Sequence, residues 1–248
     1  MNKKQRNLKS PDWKRTLLVT LPFAGALAFW QAYDGIIPLI LRDTFHLGDT
    51  LAGGVMALDN VCALFLLPLF GSLSDRCHSR LGRRTPFIII GSLLAALLIP
   101  FLAAADRLAS LPLFFAVLCL LLIVLSAYRS PCVALMPDVT PRPVRAKADA
   151  FNSLMAAAAG IIVLVSISLA VPDVEHPSYL PVFLIVSGII VFCTVLFAVF
   201  FRERKAVERM HEESLAMGIP EEEIELSEEG GQEKESDKTV RRSLLAIL

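Results

Sequence analysis

The chain consists of long apolar runs separated by short polar segments, and no run alternates apolar and polar positions as a half-buried strand would. About 20 apolar residues in a helix cross the hydrocarbon core of a bilayer. Soluble helices of that length normally keep a polar face. The pattern therefore predicts six transmembrane helices. They cover approximately residues 16–41, 50–72, 85–105, 111–136, 147–171 and 180–201.

The composition agrees with this prediction. Of all residues, 55% are hydrophobic and 19% are charged, whereas soluble domains have roughly 45–50% and about 25%. The runs over 85–105 and 181–201 contain no charged residue. The first run is too long for a cleaved signal peptide, and five more follow it. We therefore expect an all-α fold, a polytopic six-helix bundle whose partner is the lipid bilayer.

Most Lys and Arg residues lie in segments on the same side of the predicted spans. All but three of the 24 Lys and Arg residues lie before the first span, in the 2–3 loop, around the 4–5 loop or after the sixth span. The exceptions are Arg42, Arg107 and Arg129. Because Lys and Arg concentrate in cytoplasmic loops, we expect both ends of this chain in the cytoplasm and the protein in the plasma membrane.

The segments outside the spans differ in charge and in predicted structure. Residues 1–15 form a basic tail, expected in the cytoplasm. Residues 202–242 are predicted to be a charged cytoplasmic linker, with a short amphipathic helix ending near Gly218 and then an acidic stretch without apolar period. Residues 243–248 start a second basic-then-apolar pattern, which predicts the beginning of a seventh span. The alternative is a complete six-span protein with a polar tail.

The loop between the second and third runs has a distinctive sequence, GSLSDRCHSRLGRRTP. Its glycines, acidic residue and arginines resemble the 2–3 loop signature of the major facilitator superfamily. Those residues are Gly71, Asp75, Arg76, Arg80, Gly82, Arg83 and Arg84. The longer form is similar to the sucrose–proton symporters and the glycoside–pentoside–hexuronide:cation symporter group. Residues 130–138 (SPCVALMPD) and Asp59–Asn60 are similar to the same group.

The resemblance covers residues 16–201 and has three implications. It implies the N-terminal six-helix half of a major facilitator fold, built as two inverted three-helix repeats. It implies that a C-terminal six-helix half, missing from this chain, completes the transporter. It also implies a cytoplasmic gating motif in the 2–3 loop, where Asp75 suits the positive end of a facing helix. For Arg80, Arg83 and Arg84, topology marking alone is the alternative.

Two carboxylates lie deep within apolar sequence, Asp34 in the first run and Asp59 in the second. At 1.5 Å rise per residue they are roughly 10 and 14 Å from the outer ends of their spans, and so at similar depth. A charge in the membrane interior is costly without a partner or a water-filled cavity. Because two carboxylates in one cavity favour sharing a proton, we predict that Asp59 and Asp34 carry the proton or cation coupling.

Further polar side chains within the runs are predicted to bind substrate, and they are Gln31, Asn60, Arg129 and Asn152. Amides offer donors and acceptors to hydroxyl groups, and the planar guanidinium suits paired oxygens. Structural alternatives stay open. Asp59 and Asn60 could pair only to pack the bundle, Asp34 could be solvated near the outer interface, and Arg129 could snorkel to the cytoplasmic face.

The fourth run departs from the plant-type pattern. Val133 follows Pro131–Cys132 where that pattern has Arg, and residues 111–128 contain no Asp. Arg129 lies one helical turn before Val133 and could replace the missing Arg. The coupling proton would then fall to the two carboxylates in the first and second runs, unless the coupling ion is not a proton.

These features favour a secondary active transporter, a proton-coupled sugar or glycoside symporter that works by alternating access and needs no cofactor. A drug or metabolite exporter of the same superfamily is one alternative, against which the aromatic content of 8% argues weakly. A non-transporting six-span protein or truncated fragment is another. No metal-ligand cluster, nucleophile–base pair or phosphate loop is visible in the sequence, so we expect no metal and no enzyme. The acidic tail and the single basic loop argue against nucleic-acid binding.

Overall fold

The computed structural model describes residues 10–77, 79–170 and 178–219, and these residues form helices without a strand. Six of the helices are long and apolar enough to cross a membrane. They are α1 (Trp13–Asp43), α2 (Asp49–Asp75), α3 (Thr85–Arg107), α4 (Leu111–Asp138), α5 (Arg142–Ala170) and α6 (Leu180–Phe200). A seventh, shorter helix α7 (Glu203–Ala216) follows. The predicted all-α fold with six membrane spans is confirmed.

Proline marks where several of these helices begin. Pro86, Pro112 and Pro181 occupy the first positions of α3, α4 and α6. Proline suits these positions because the first N–H groups of a helix have no partner within it, and its φ angle is already helical. At α1, the side chain of Asp12 accepts a hydrogen bond from the backbone N–H of Lys14 at 3.1 Å.

The observed bounds differ from the expected ones at three places. Helix α5 begins at Arg142 rather than at 147. Helix α2 contains a turn at Ala57, between Asp49–Met56 and Leu58–Asp75. Helix α1 already includes Trp13–Arg15, which the sequence assigned to the N-terminal tail. Residues 1–9 of that tail lie outside the described residues.

Helix α1 is the centre of the bundle and packs against α4, α5 and α6. Its side chains Phe29, Tyr33, Ile36 and Ile40 are fully buried. Helices α3, α4 and α6 surround it, with α3 in contact with both α4 and α6, and α2 in contact with α4. The core therefore lies between α1, α3, α4 and α6.

A glycine allows close helix contact at the α3–α4 interface. A Cβ on Gly91 would lie 3.0 Å from Cβ and 3.2 Å from Cα of Tyr128. Small residues let helix backbones approach closely in membranes, where dispersion contacts drive association. Tyr128 in turn donates a hydrogen bond from its buried hydroxyl to the carbonyl of Pro22, which ties α4 to α1.

Helices α2 and α5 lie at the edge of the bundle. Only 6% of the most apolar stretch of α2 and 11% of that of α5 is buried, against 61% for α1 and 44% for α3, α4 and α6. Large apolar side chains such as Phe65 and Leu169 are 69% and 82% exposed. These faces need an apolar environment, which a bilayer or further helices can supply.

Helix α7 lies in the segment that the sequence assigned to a linker over 202–242. The predicted short helix is present, but one side of it packs on the bundle. Its buried residues recur on one face, at Glu203, Ala206, Met210 and Ser214. A charged segment therefore docks because its few apolar residues share that face. The rest of the expected linker and the expected seventh span, from 220 to 248, lie outside the described residues.

Candidate functional site

A cleft of about 450 Å³ opens between α1 and α5. Helix α1 contributes Trp30, Gln31 and Asp34 to its lining. Residues three and four positions apart share a helix face, so these three side chains point to the same side of α1. The remaining lining is apolar and mostly small, from Leu27, Ala156, Ala157, Gly160, Ile161 and Leu164.

Gly160 leaves room for the Gln31 amide. A Cβ at Gly160 would lie 3.3 Å from Oε1 of Gln31, closer than most real side-chain contacts. The absence of a side chain here lets the amide lie against α5 without displacement. Two of the predicted site residues, Gln31 and Asp34, therefore meet in one cleft, and Asp34 is exposed there.

Asp59 and Asn60 lie on α2 and do not line this cleft. The Asp59 carboxylate accepts hydrogen bonds from the backbone N–H of Asn60 at 2.7 Å and from its side-chain amide at 2.9 Å. The amide of Asn60 is thus directed at its neighbour on the same helix, so this pair does not join α2 to another helix.

Arg129 lies on α4, and its guanidinium carbon is 5.5 Å from the centroid of the Trp30 ring. A cation at this distance from the face of an indole is stabilised by the ring quadrupole. None of the ion pairs formed by the described residues includes Arg129. Arg129 therefore packs on the ring of Trp30 and is directed toward α1 and not away from it.

Several buried polar atoms of α1 and α5 have no hydrogen-bond partner among the described residues. They include the indole N–H of Trp30, the hydroxyl of Tyr33 and the side-chain oxygen of Asn152. Buried polar groups are normally paired, and of these three residues only Trp30 lines the cleft. Asn152 itself is half-buried on α5 and does not line the cleft.

The 2–3 loop forms a second polar site, at the end of the bundle that we call the basic end (the loop over 76–84 and the helix ends packed on it). Arg84 is buried there, with 7% exposed. Its Nε donates to Asp138 at 2.5 Å, and its Nη2 lies 2.9 Å from Asp75. The contact with Asp75 has ion-pair distance but not hydrogen-bond geometry. The guanidinium thus joins the ends of α2 and α4.

The other members of the predicted gating motif are distributed around this ion-pair cluster. Arg76 and Arg80 are exposed, and Arg83 is half-buried. Gly71 lies close to α4, because a Cβ there would be 3.2 Å from the Ser130 hydroxyl. Gly82 has φ of +124°, a backbone conformation that favours glycine. The motif is therefore assembled within this bundle around Arg84.

Glu203 belongs to the same site, although it is distant in sequence. Its carboxylate accepts hydrogen bonds from the backbone N–H groups of Arg83 at 2.8 Å, Arg84 at 3.1 Å and Thr85 at 2.8 Å. The Thr85 hydroxyl also donates to it, at 2.7 Å. These are N–H groups at the start of α3, which α3 itself cannot satisfy, and a carboxylate is favoured at that end of a helix.

Sequence reasoning missed Trp30, Gly160, Asp138 and Glu203. For Trp30 a signal existed, because it adjoins Gln31 and lies one turn from Asp34 on the same helix face. For Glu203 there was none, since its partners are about 120 positions earlier in the chain.

Comparison with known proteins supports one family. A family model described as Major Facilitator Superfamily matches residues 20–239. The "Alpha-ketoglutarate permease" of Escherichia coli (strain K12) is 33% identical over 136 residues, which are 54% of this chain and 30% of the permease. The "Proton-associated sugar transporter A" of Homo sapiens is 35% identical over 86 residues, 35% of this chain and 11% of that protein. The matched segments span less than a third of either relative.

Proposed function

Because the chain belongs to the Major Facilitator Superfamily, we propose that its six membrane-spanning helices are part of a proton-coupled sugar or glycoside symporter that works by alternating access. The observation that carries this proposal is the cleft between α1 and α5. There an amide, Gln31, and a carboxylate, Asp34, lie beside the indole of Trp30. Amide and carboxylate groups pair with hydroxyls, and an aromatic ring offers an apolar surface to the face of a sugar ring.

The family and its relatives are those of a transporter and not of an enzyme. One relative is named a permease and the other a proton-associated sugar transporter. The second name agrees with the proposed substrate class and coupling ion. Both relatives are much longer than the segments they share with this chain, so substrate and ion remain proposals for this protein.

Proton coupling is assigned to Asp34 and Asp59. No cation pairs with either carboxylate among the ion pairs of the described residues. Inside a membrane, a carboxylate without a cation partner is costly as a charge and can take up a proton instead. Uptake of that proton on one side of the membrane and its release on the other would couple substrate movement to the proton gradient.

The orientation proposed follows from the distribution of basic residues. The basic end faces the cytoplasm of a cell whose plasma membrane the protein spans. A second six-helix bundle packs against the exposed faces of α2 and α5, so that the cleft lies between two halves near the middle of the membrane. The small residues of α5 in the cleft and the exposed Phe65 of α2 support this arrangement.

An organic acid is the second candidate substrate, and Arg129 is the observation that favours it. This cation has no ion pair among those of the described residues and lies against the ring of Trp30. A guanidinium pairs well with a carboxylate, and one relative is named for a dicarboxylate, alpha-ketoglutarate. The two candidates differ in what Arg129 does: in the first it holds the Trp30 wall, and in the second it binds the substrate.

Substrate-evoked proton movement tests the proposal. The full-length protein is expressed in cells, sugars and organic acids are added in turn, and external pH is recorded. We expect alkalinisation by one sugar, lost in Asp34→Asn and Asp59→Asn. It should persist in Asp49→Asn, a control carboxylate that is exposed at the start of α2 and remote from the cleft.

Other outcomes overturn parts of the proposal. Uptake of labelled sugar driven only by sodium would contradict proton coupling. Uptake only of organic acids, lost in Arg129→Gln, would replace the sugar by the second candidate. If no substrate in either class enters the cells, the proposal of an importer fails.

A further inference from the structure

Helix α7 contacts the rest of the bundle near both of its ends. At its start, the Glu203 carboxylate, 4% exposed, caps α3. Arg204 donates a hydrogen bond to the carbonyl of Ser79 in the 2–3 loop at 2.8 Å. Near its end, Glu213 forms an ion pair at 2.6 Å with Arg15, at the start of α1. Met210, between these contacts, is buried.

The site of Glu203 is built to receive it. A Cβ on Gly82 would lie 2.2 Å from a carboxylate oxygen of Glu203, so only glycine leaves the space. The hydroxyl of Thr85 adds a fourth donor to the backbone N–H groups that meet the carboxylate. A surface glutamate in casual contact would not have a glycine-lined space and four donors.

Glu203 and Asp138 hold the same residue through different atoms. Glu203 binds the backbone N–H of Arg84, and Asp138 binds its guanidinium. The backbone position at Arg84 decides where its guanidinium can reach. We propose that α7 is a strap on the basic end, and that Glu203 is a positioning residue that keeps Arg84 between Asp75 and Asp138.

This inference rests on the proposed transport function only for its effect on turnover. In a transporter, the ion-pair cluster of Arg84 joins the ends of α2 and α4. A change in the docking of α7 would then change the rate of the conformational cycle, and it would leave the cleft between α1 and α5 untouched. The docking itself can be tested on purified protein without any substrate.

Hydrogen–deuterium exchange on the full-length protein in detergent or lipid tests the strap. In Glu203→Gln the amide N–H₂ replaces one acceptor oxygen and faces the donors at the start of α3. We expect exchange across 203–216 and 83–85 to accelerate at least tenfold, because local opening follows the loss of hydrogen bonds. Glu208→Gln, an exposed glutamate of the same helix, should leave the exchange unchanged. Unchanged exchange in Glu203→Gln would overturn the strap.

Asp138→Asn separates positioning from simple docking. Asp138 binds the Arg84 guanidinium and not α7. If Glu203 and Arg84 are coupled, weakening that bond in Asp138→Asn should nevertheless accelerate hydrogen exchange in α7. Asp106→Asn provides the matched control, since Asp106 is a buried carboxylate that pairs with Thr44 on another part of the bundle. Exchange in α7 that responds to neither variant, or equally to both, would show that Glu203 holds the strap without positioning Arg84.

Thr85→Val is a milder variant for the case in which Glu203→Gln does not fold. It removes a single hydrogen bond to Glu203, so we expect a smaller acceleration in the same segments, about two- to fivefold. In uptake assays Glu203→Gln should lower the maximal rate at least threefold and keep the Michaelis constant within twofold. A raised Michaelis constant with an unchanged maximal rate would contradict the effect on turnover. A wild-type protein that transports no sugar would refute the proposed function and leave the exchange results valid.

Discussion

Arg84 is held by carboxylates from three separate parts of the chain. Asp75 ends α2, Asp138 ends α4 and Glu203 begins α7. A buried guanidinium is costly unless its donors are paired, and the loss of one partner then leaves an uncompensated charge. At the scale of single residues, the basic end is therefore a charge cluster in which each member depends on the others.

The basic end needs side chains that are present, whereas the cleft needs the space that a missing side chain leaves. Gly160 lies where a side chain would meet Gln31. We predict that Gly160→Leu fills the cleft and lowers the initial rate of substrate uptake at least tenfold. The thermal midpoint of the purified protein should stay within a few degrees, because Leu favours a helix more than Gly does.

Gly188→Leu is the matched control for this substitution. Gly188 lies on α6, and a Cβ built there has no atom within 4 Å. Uptake should stay near that of the wild type. Full uptake by Gly160→Leu, measured at equal surface expression, would show that the cleft between α1 and α5 is not the substrate site.

At the scale of elements, the bundle consists of a packed centre and two peripheral helices. Helix α1 is 61% buried over its most apolar stretch, whereas α2 is 6% buried. The interfaces between α1, α3, α4 and α6 rely on close backbone approach and on a few hydrogen bonds such as that from Tyr128 to Pro22. Without a hydrophobic driving force between helices in lipid, this packing sets the stability of the bundle.

The α3–α4 interface gives a prediction at this scale. Gly91→Val places a branched side chain against the backbone of Tyr128. Overpacking of this kind typically costs about 1–3 kcal/mol, so we expect the free energy of unfolding in a detergent titration to fall by that amount. Gly188→Val should change the same free energy by less than about 0.5 kcal/mol. Equal values for the two variants would mean that the α3–α4 contact is not tight.

At the scale of the whole molecule, the most exposed apolar helices carry or adjoin the predicted site residues. Helix α5 forms one wall of the cleft, and α2 carries Asp59. An apolar face of this extent is stable in lipid or against other helices. The proposed proton coupling would also require an aqueous path to Asp34 in the cleft. The proposed second bundle would cover these helices, and alternating access would open the cleft between the two bundles to water on one side of the membrane at a time.

The orientation of the molecule in the membrane gives a prediction at the same scale. Cysteines placed at the exposed positions Arg80 and Asp49 report from opposite ends of α2. On intact cells, a membrane-impermeant maleimide should label Asp49→Cys, and it should label Arg80→Cys only after permeabilisation. The wild type gives the background from Cys77, which is half-buried in the same loop. The reverse pattern would contradict a cytoplasmic basic end.

Local sequence was sufficient for the elements. Each span is predicted by its own apolar length, and proline at the start of α3, α4 and α6 agrees with the predicted boundaries. The pattern also indicated the short helix after the sixth span. The turn at Ala57 in α2 and the start of α5 at Arg142 were missed, because apolar length does not show where a helix is interrupted or how far it extends beyond the apolar run.

The sequence by itself determined that this protein is a bundle of six membrane helices with a basic end, because length, hydropathy and charge act within each segment. Only the tertiary structure decided which polar residues meet. It brought α5 against the face of α1 that carries Gln31 and Asp34, left Asp59 outside the cleft formed there, and set Arg129 on the ring of Trp30. It also brought Glu203 to Arg84 across 119 positions. Such contacts depend on how helices pack side by side, and no local pattern in the chain encodes that arrangement.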